Sequence, residues 1–231
     1  MPCDPGSPPI RVQVGGVLLA AGAGKRMGMP KALVIGEDRQ PWLARGVRVL
    51  AEAGCDPVVV VLGARAEEAQ SLLPDDIPVT VGIAEDWQSG LSASLGRGLV
   101  VATTFEHLDA VIVTLVDLPD LEADAVERLA TVPPLDARSA LRQARYGGAP
   151  GHPVLIGRDH WAPLQRSLTG DSGARKYLIA HDVEMVDCSD LGSGRDVDSP
   201  TDRLVVAPNR EGNEDHQQGR RPRQRGDDGV L

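Results

Sequence analysis

Fifteen residues, Val17-Leu-Leu-Ala-Ala-Gly-Ala-Gly-Lys-Arg-Met-Gly-Met-Pro-Lys31, constrain this chain more than any other stretch. An apolar run, Val17 to Leu19, ends in a turn of small residues and glycines that carries Lys25, Arg26 and Lys31. Glycine takes positive φ angles and lets a backbone approach a ligand closely. Amide N–H groups in such a turn, ahead of a helix, form a site for phosphate oxygens. Three cations within seven residues suit a polyphosphate better than a single carboxylate. The spacing excludes two commoner phosphate loops. A P-loop continues Gly-Lys into Ser or Thr, whereas Gly24-Lys25 is followed by Arg26. A dinucleotide loop reads G-x-G-x-x-G, with an acid about 20 residues further on. Here Gly22, Gly24 and Gly28 are spaced G-x-G-x-x-x-G, and the next strong strand pattern, Val58–Leu62, ends in Gly63. The stretch reads as a nucleoside triphosphate loop.

The order of segments predicts an α/β fold. Strands are expected at Val12–Leu19, Val58–Leu62, Val79–Ile83 and Ala110–Val116, alternating with helices at Trp42–Ala53, Ala66–Leu73 and Leu91–Thr103. Near-continuous β-branched runs such as Val58–Leu62 mark strands buried on both faces. Alternation of this kind builds βαβ units and a largely parallel sheet, with ligands at the carboxyl ends of the strands. After Pro119 the rhythm changes. Helices are expected at Asp124–Thr131, Arg158–Ser167 and Ser172–His181, and strands at Ala140–Tyr146, His152–Ile156 and Val183–Asp187. The expected organisation is a flexible start over 1–11, one domain over 12–205 and a tail over 206–231. Within the domain, a nucleotide half covers about 12–120 and an acceptor half about 121–205. The tail carries both charge signs and no apolar pattern, a composition that remains disordered.

A net charge of −9 argues against nonspecific nucleic-acid binding, which depends on many cationic phosphate contacts. The cysteines Cys3, Cys55 and Cys188 lie too far apart for a ligand or redox motif. The proline-rich start lacks the apolar core of a signal peptide, and no run reaches the ~20 apolar residues of a membrane span. A cytoplasmic protein, a monomer or weak dimer, is expected.

Asp117 follows the apolar strand Ala110–Val116 directly. A carboxylate there faces the ligand crevice and suits a hard cation shared with substrate phosphates. The alternative role is a cap for the helix that follows, for which Asp120 or Glu122 is better placed. Asp196, Asp198 and Asp202 cluster near the end of the foldable region, where spacing alone favours a turn and helix start. In Asp86–Leu95, small residues behind Gly90 could either meet a nucleotide or simply begin a helix. His152, a lone strand histidine, is on its own a structural residue.

The segment Leu19-Ala-Ala-Gly-x-Gly-x-Arg-Met-Gly-x-Pro-Lys31 resembles the signature of the MobA-like nucleotidyltransferases, and most closely their molybdenum-cofactor cytidylyltransferase branch. The resemblance continues through Asp117, Gly151-His152-Pro153-Val154, Gly170-Asp171-Ser172-Gly173-Ala174-Arg175 and Asp196-Val197-Asp198-Ser199-Pro200-Thr201-Asp202. It implies a Rossmann-like three-layer nucleotidyltransferase fold with a mostly parallel central sheet. It also implies nucleotide binding by Leu19, Ala20, Ala21, Gly22, Ala23, Gly24, Lys25, Gly28, Gly90 and Ser94, and catalysis by Arg26, Lys31 and Asp117. Gly151, His152, Pro153, Gly170, Asp171, Ser172 and Gly173 would meet the acceptor. Mg²⁺ would rest on Asp117 and Asp198, with Asp196 as the alternative; Ser199 departs from the family's usual Thr.

The implied reaction is attack of an acceptor phosphate on the α-phosphorus of an NTP, with pyrophosphate leaving and no protein nucleophile needed. Ala21, where guanylyl-transferring relatives carry glycine, points to CTP over GTP. The implied acceptor is a molybdopterin-type substrate, and a molybdenum hydroxylase or its chaperone is the implied recipient. The alternatives are a guanylyltransferase for molybdopterin or phospholactate, and a noncatalytic cofactor-delivery protein.

Overall fold

The computed structural model describes residues 11–202. The expected flexible start, apart from Arg11, and the expected tail lie outside the described residues.

At the centre lies β1 (Val14–Ala20), buried along its whole length. It pairs in parallel with β2 (Val58–Leu62) on one side and with β4 (Ala110–Leu115) on the other, so that Val17 stands opposite Val59 and Val113. The sheet has seven strands in the order β3-β2-β1-β4-β6-β5-β7. The outer members are β3 (Val79–Ile83), β5 (Leu141–Tyr146), β6 (Ala149–Gly157) and β7 (Glu184–Asp187). Strands β1 to β4 are mutually parallel; β6 runs antiparallel between β4 and β5, and β7 is parallel to β5. A β-branched, all-apolar strand tolerates this position because helices cover both faces of the sheet.

Helices α1 (Trp42–Glu52), α2 (Ala66–Gln70) and α4 (Ala123–Ala130) cover the face that carries Leu18, Val60 and Ile112. Helices α3 (Leu91–Thr103), α5 (Trp161–Ser167) and α6 (Arg175–Ala180) cover the opposite face, with Val17, Leu19 and Val113. In α1, Leu43, Val47 and Leu50 follow helical spacing and are completely buried, each contributing about 1.5–3 kcal/mol. Helix α3 seats closely on β1 because Gly98 has no side chain. A Cβ there would lie 2.6 Å from Val17 Cγ1.

The second half departs from expectation in three places. Arg158–His160 is a 3₁₀ turn ahead of α5 rather than its first turn, and Ser172, expected to open α6, instead closes the 3₁₀ turn Gly170–Ser172. Gly173, at φ +50°, separates the second turn from α6. Strand β6 begins at Ala149, earlier than expected, because Gly147 and Gly148 both have positive φ, the two-residue turn that matches strand twist in a hairpin.

Chain order reverses between β1 and β4: β2 and β3 lie to one side, and β4 returns on the other. The crevice at such a reversal, above the carboxyl ends of the strands, is where open α/β sheets bind ligands.

Candidate nucleotide site

The loop after β1 occupies that crevice. Gly24 has φ +59°, and a Cβ there would sit 1.9 Å from the carbonyl oxygen of Met29, so only glycine closes the loop. Gly22 differs, since a Cβ there would meet nothing within 4 Å. It borders the cleft and leaves room for a ligand against the backbone. Among the described residues, the amides of Gly22 through Gly28 donate no hydrogen bond to a protein group. Unpartnered N–H groups of this kind are the donors an oxyanion requires.

The loop ends at Lys31, in a short 3₁₀ turn fixed by Leu33 N–H to Pro30 C=O at 2.9 Å. The Lys31 ammonium donates to Asp117 Oδ2 and Asp198 Oδ1, both at 2.6 Å. Its side chain is only 16% exposed and that of Asp117 only 13%. Burial pulls the Lys31 pKa down, but the hydrogen bonds and charges of Asp117 and Asp198 together outweigh it, so the ammonium is held above its ordinary range. The Lys31 hydrogen bond holds the Asp198 carboxyl below the usual carboxylate range. Arg26 meets Asp198 Oδ2 at 2.7 Å, but its side chain is 74% exposed, and pairs so open to water contribute little stability. Arg26 is therefore free to turn toward a ligand.

A backbone contact brings the distant aspartates here: Val197 N–H donates to the carbonyl of Asp117 at 3.0 Å. Asp202 then holds the turn, accepting from the amides of Asp198 (3.2 Å) and Ser199 (2.8 Å) and from the Ser199 hydroxyl (2.8 Å). Asp117, Asp196 and Asp198 each offer a carboxylate oxygen, all within 4.8 Å of one another. Asp117 Oδ1 is buried and has no hydrogen-bond partner. Oxygen-only donors and an orphaned carboxylate oxygen fit a hard divalent cation.

The resulting cleft has a volume of about 600 Å³. Leu19 to Arg26, Lys31, Gly90, Ser94, Asp117, Asp171 and Asp198 all line it. Gly28 has φ +79° and shapes the loop without lining the cleft. Gly151, His152 and Pro153 lie on β6 and do not line it. Their neighbours hold them in place: Gln143 donates to Gly151 C=O at 3.1 Å, and the Tyr146 hydroxyl to His152 C=O at 3.0 Å. The His152 ring rests on the Val113 carbonyl at 3.3 Å, and burial pushes its pKa down, favouring the neutral form. Asp171 reaches across from the second half, against Gly90. Ser172 binds Thr169 C=O at 3.0 Å, and Gly173 packs on Leu91.

Sequence reasoning passed over Trp87, Gln88 and Leu91, which also line the cleft. A usable signal existed. Trp42 and Trp161 are core residues, 5% and 2% exposed, whereas Trp87 sits in a polar, glycine-flanked segment outside any apolar pattern. Gly63 admits it. A Cβ at that position would lie 2.7 Å from both Trp87 Cβ and the Ala21 carbonyl.

The MobA-like NTP transferase domain family matches residues 16–185. The chain belongs to this family of nucleotidyltransferases. It is 36% identical over 200 residues to a nicotine blue oxidoreductase of Paenarthrobacter nicotinovorans, covering 80% of this chain and 92% of that one. It is 33% identical over 114 residues to a probable molybdenum cofactor guanylyltransferase of Rhodopirellula baltica, covering 47% of this chain and 50% of the other. Among solved structures it resembles Rv0371c of Mycobacterium tuberculosis, with 28% identity and a TM-score of 0.68 over 84% of this chain and 96% of that one. A manganese complex of that protein aligns with 26% identity and a TM-score of 0.61, over 77% of this chain and 89% of that one. No helix among the described residues is long and apolar enough to cross a membrane.

Proposed function

We propose that the chain is a divalent-metal-dependent nucleotidyltransferase that moves a nucleoside monophosphate from CTP to a phosphorylated, molybdopterin-type acceptor. The observation that carries this reading is Lys31, held 2.6 Å from Asp117 and Asp198 at the end of a glycine loop with unpartnered amides. The products are a dinucleotide cofactor and pyrophosphate. The acceptor phosphate oxygen forms the new bond to the α-phosphorus as the bond to the bridging oxygen of pyrophosphate breaks.

Phosphoryl-group chemistry of this kind rests on positioning and charge compensation. The amides of Gly22 through Gly28, with Lys25 and Arg26, hold the triphosphate. Lys31, kept protonated by its two carboxylates, faces the transferring phosphate. Asp117 would hold Mg²⁺ or Mn²⁺ with Asp198 and Asp196, and such a cation, when bound, offsets charge on phosphate oxygens. Trp87 and Ser94, which line the cleft, would meet the base, and Asp171 the acceptor. A neutral His152 supports β6 rather than moving a proton. In support of the reading stand family membership, the guanylyltransferase relative and the manganese complex of the mycobacterial neighbour. The test is pyrophosphate release with CTP, GTP or ATP, a divalent cation and metal-charged molybdopterin. CTP should exceed the others at least tenfold in kcat/KM, a difference of about 1.4 kcal/mol. Equal use of all three would remove the cytidylyl assignment and leave nucleotidyl transfer standing.

The relative named an oxidoreductase, similar over nearly its full length, favours a second reading in which the same cleft serves oxidation–reduction. An absorbance spectrum of the purified protein, with a dye-reduction assay using reduced nicotinamide nucleotides, separates the two. Dye reduction without pyrophosphate release would select the second.

A further inference from the structure

A second cavity, of about 800 Å³, lies on the opposite flank of α3 from the nucleotide cleft. Ser92, Ala93, Gly96 and Arg97 form its helical wall, while Ser94 and Leu91 face the nucleotide cleft. At 100° per residue these two sets point in opposite directions. Asp171, which lines the nucleotide cleft, packs against Gly90. Apart from Gly170, which the family resemblance assigns to the acceptor, none of the residues given a role in the transfer reaction lines the second cavity.

Two of its groups lack partners. Ser92 is 7% exposed, and its hydroxyl oxygen is buried without a hydrogen bond. Serine and threonine in or beside helices usually satisfy themselves on a carbonyl in the preceding turn. Ser71, Thr103, Thr104 and Ser167 all do so here. Ser92 lies in the first turn of the 13-residue α3, where the helix presents its positive end. The second group is Arg97, which runs along β3 with its Nε 3.6 Å from where a Gly82 Cβ would stand. Arg45, Arg48, Arg65, Arg128 and Arg142 all pair with carboxylates. Arg97 makes no ion pair or hydrogen bond among the described residues. Glu85 and Asp86, both exposed, also line this space.

We propose that this cavity binds a small hydroxylated oxyanion, its anionic group on the Ser92 hydroxyl and the Arg97 guanidinium and its hydroxyls toward Glu85 and Asp86. The oxyanion satisfies a buried donor and an unpaired cation together. The rim acids favour a ligand with O–H donors over a bare anion.

The test titrates the full isotope-labelled chain with glycerol 3-phosphate, glycerate and glycerol, and follows amide resonances by NMR. Either anion should shift Ser92, Ala93, Gly96 and Gly170 saturably and leave Gly22 to Gly28 still, and the tighter one identifies phosphate or carboxylate. Ser92→Ala and Arg97→Gln should each weaken binding at least tenfold, and Lys31→Ala should not. Ser92→Ala should also raise the melting temperature of the ligand-free protein, because it removes an unsatisfied buried hydroxyl; a merely structural serine would lower it. Shifts confined to Gly22–Gly28, equal effects of glycerol, variants that bind as wild type, or no saturation by about 10 mM would each overturn the proposal.

Discussion

The loop 21–31 and the return segment 196–202 furnish opposite charges to one site, yet they are built differently. The loop is self-contained. Its glycines, its cations and its 3₁₀ turn follow one another in sequence, and its shape depends on local contacts such as Gly24 against Met29. The return segment has no such autonomy. Its aspartates reach the site through one backbone hydrogen bond to Asp117 and a turn tied by Asp202. Local construction made the loop's shape and charge readable from residue spacing, whereas tertiary placement left Asp196, Asp198 and Asp202 ambiguous between cap and ligand.

The largest effect should come where the two regions meet. Lys31→Ala and Asp117→Ala should each lower turnover by about 10²–10³-fold with the fold intact, the usual scale for lost electrostatic stabilisation. Pyrophosphate release and thermal melting, measured together, check this; near-normal turnover from either variant would sink the assignment. Asp202→Ala sharpens the comparison, since it touches only the scaffold of the return segment. It should lower activity about tenfold, through the loss of hydrogen bonds worth about 1–2 kcal/mol, and raise the divalent-cation concentration needed for half-maximal rate. An unchanged metal requirement would separate the turn from the metal site.

Ala21→Gly tests the loop side alone. Ala21 lines the cleft but is only 2% exposed, so its methyl acts through packing in the core on that face of the sheet. The CTP-to-GTP preference should fall by about five- to tenfold, the lower end of the roughly 1–3 kcal/mol that one methylene-sized change is worth.

The smallest effect concerns His152, which stands outside both regions. Its pKa is lowered in the folded chain, so below about pH 6.5, the ordinary histidine value, the unfolded state binds the proton first. Stability is therefore present above that pH and falls as pH drops through it. Urea midpoints between pH 7 and pH 5 should decline in the wild type and decline less in His152→Asn. Equal slopes would show that burial does not hold the ring neutral.

Much of the fold was legible in advance. Val58–Leu62, Val79–Ile83 and Leu91–Thr103 form as expected, residue for residue, because apolar β-branched runs and a helical repeat leave few other ways to bury their surface. The second half was read less sharply. Arg158–His160 was expected to be helical but forms a single 3₁₀ turn, and Gly173, at φ +50°, delays α6 beyond Ser172. Gly151, His152 and Pro153 carried a motif, yet they lie in β6 where its pairing with β5 is interrupted, beside the cleft rather than along it.

The sequence by itself determined a parallel α/β core and a glycine-rich, cationic loop at its centre, since side-chain periodicity and glycine spacing act over short stretches of chain. Only the tertiary structure decided that Lys31 lies between Asp117 and Asp198, 86 and 167 residues away. It alone set Trp87 against Gly63 and left Ser92 and Arg97 facing a second cavity. These outcomes depend on which helix covers which face of the sheet, and so on the packing of the whole core rather than on any one segment.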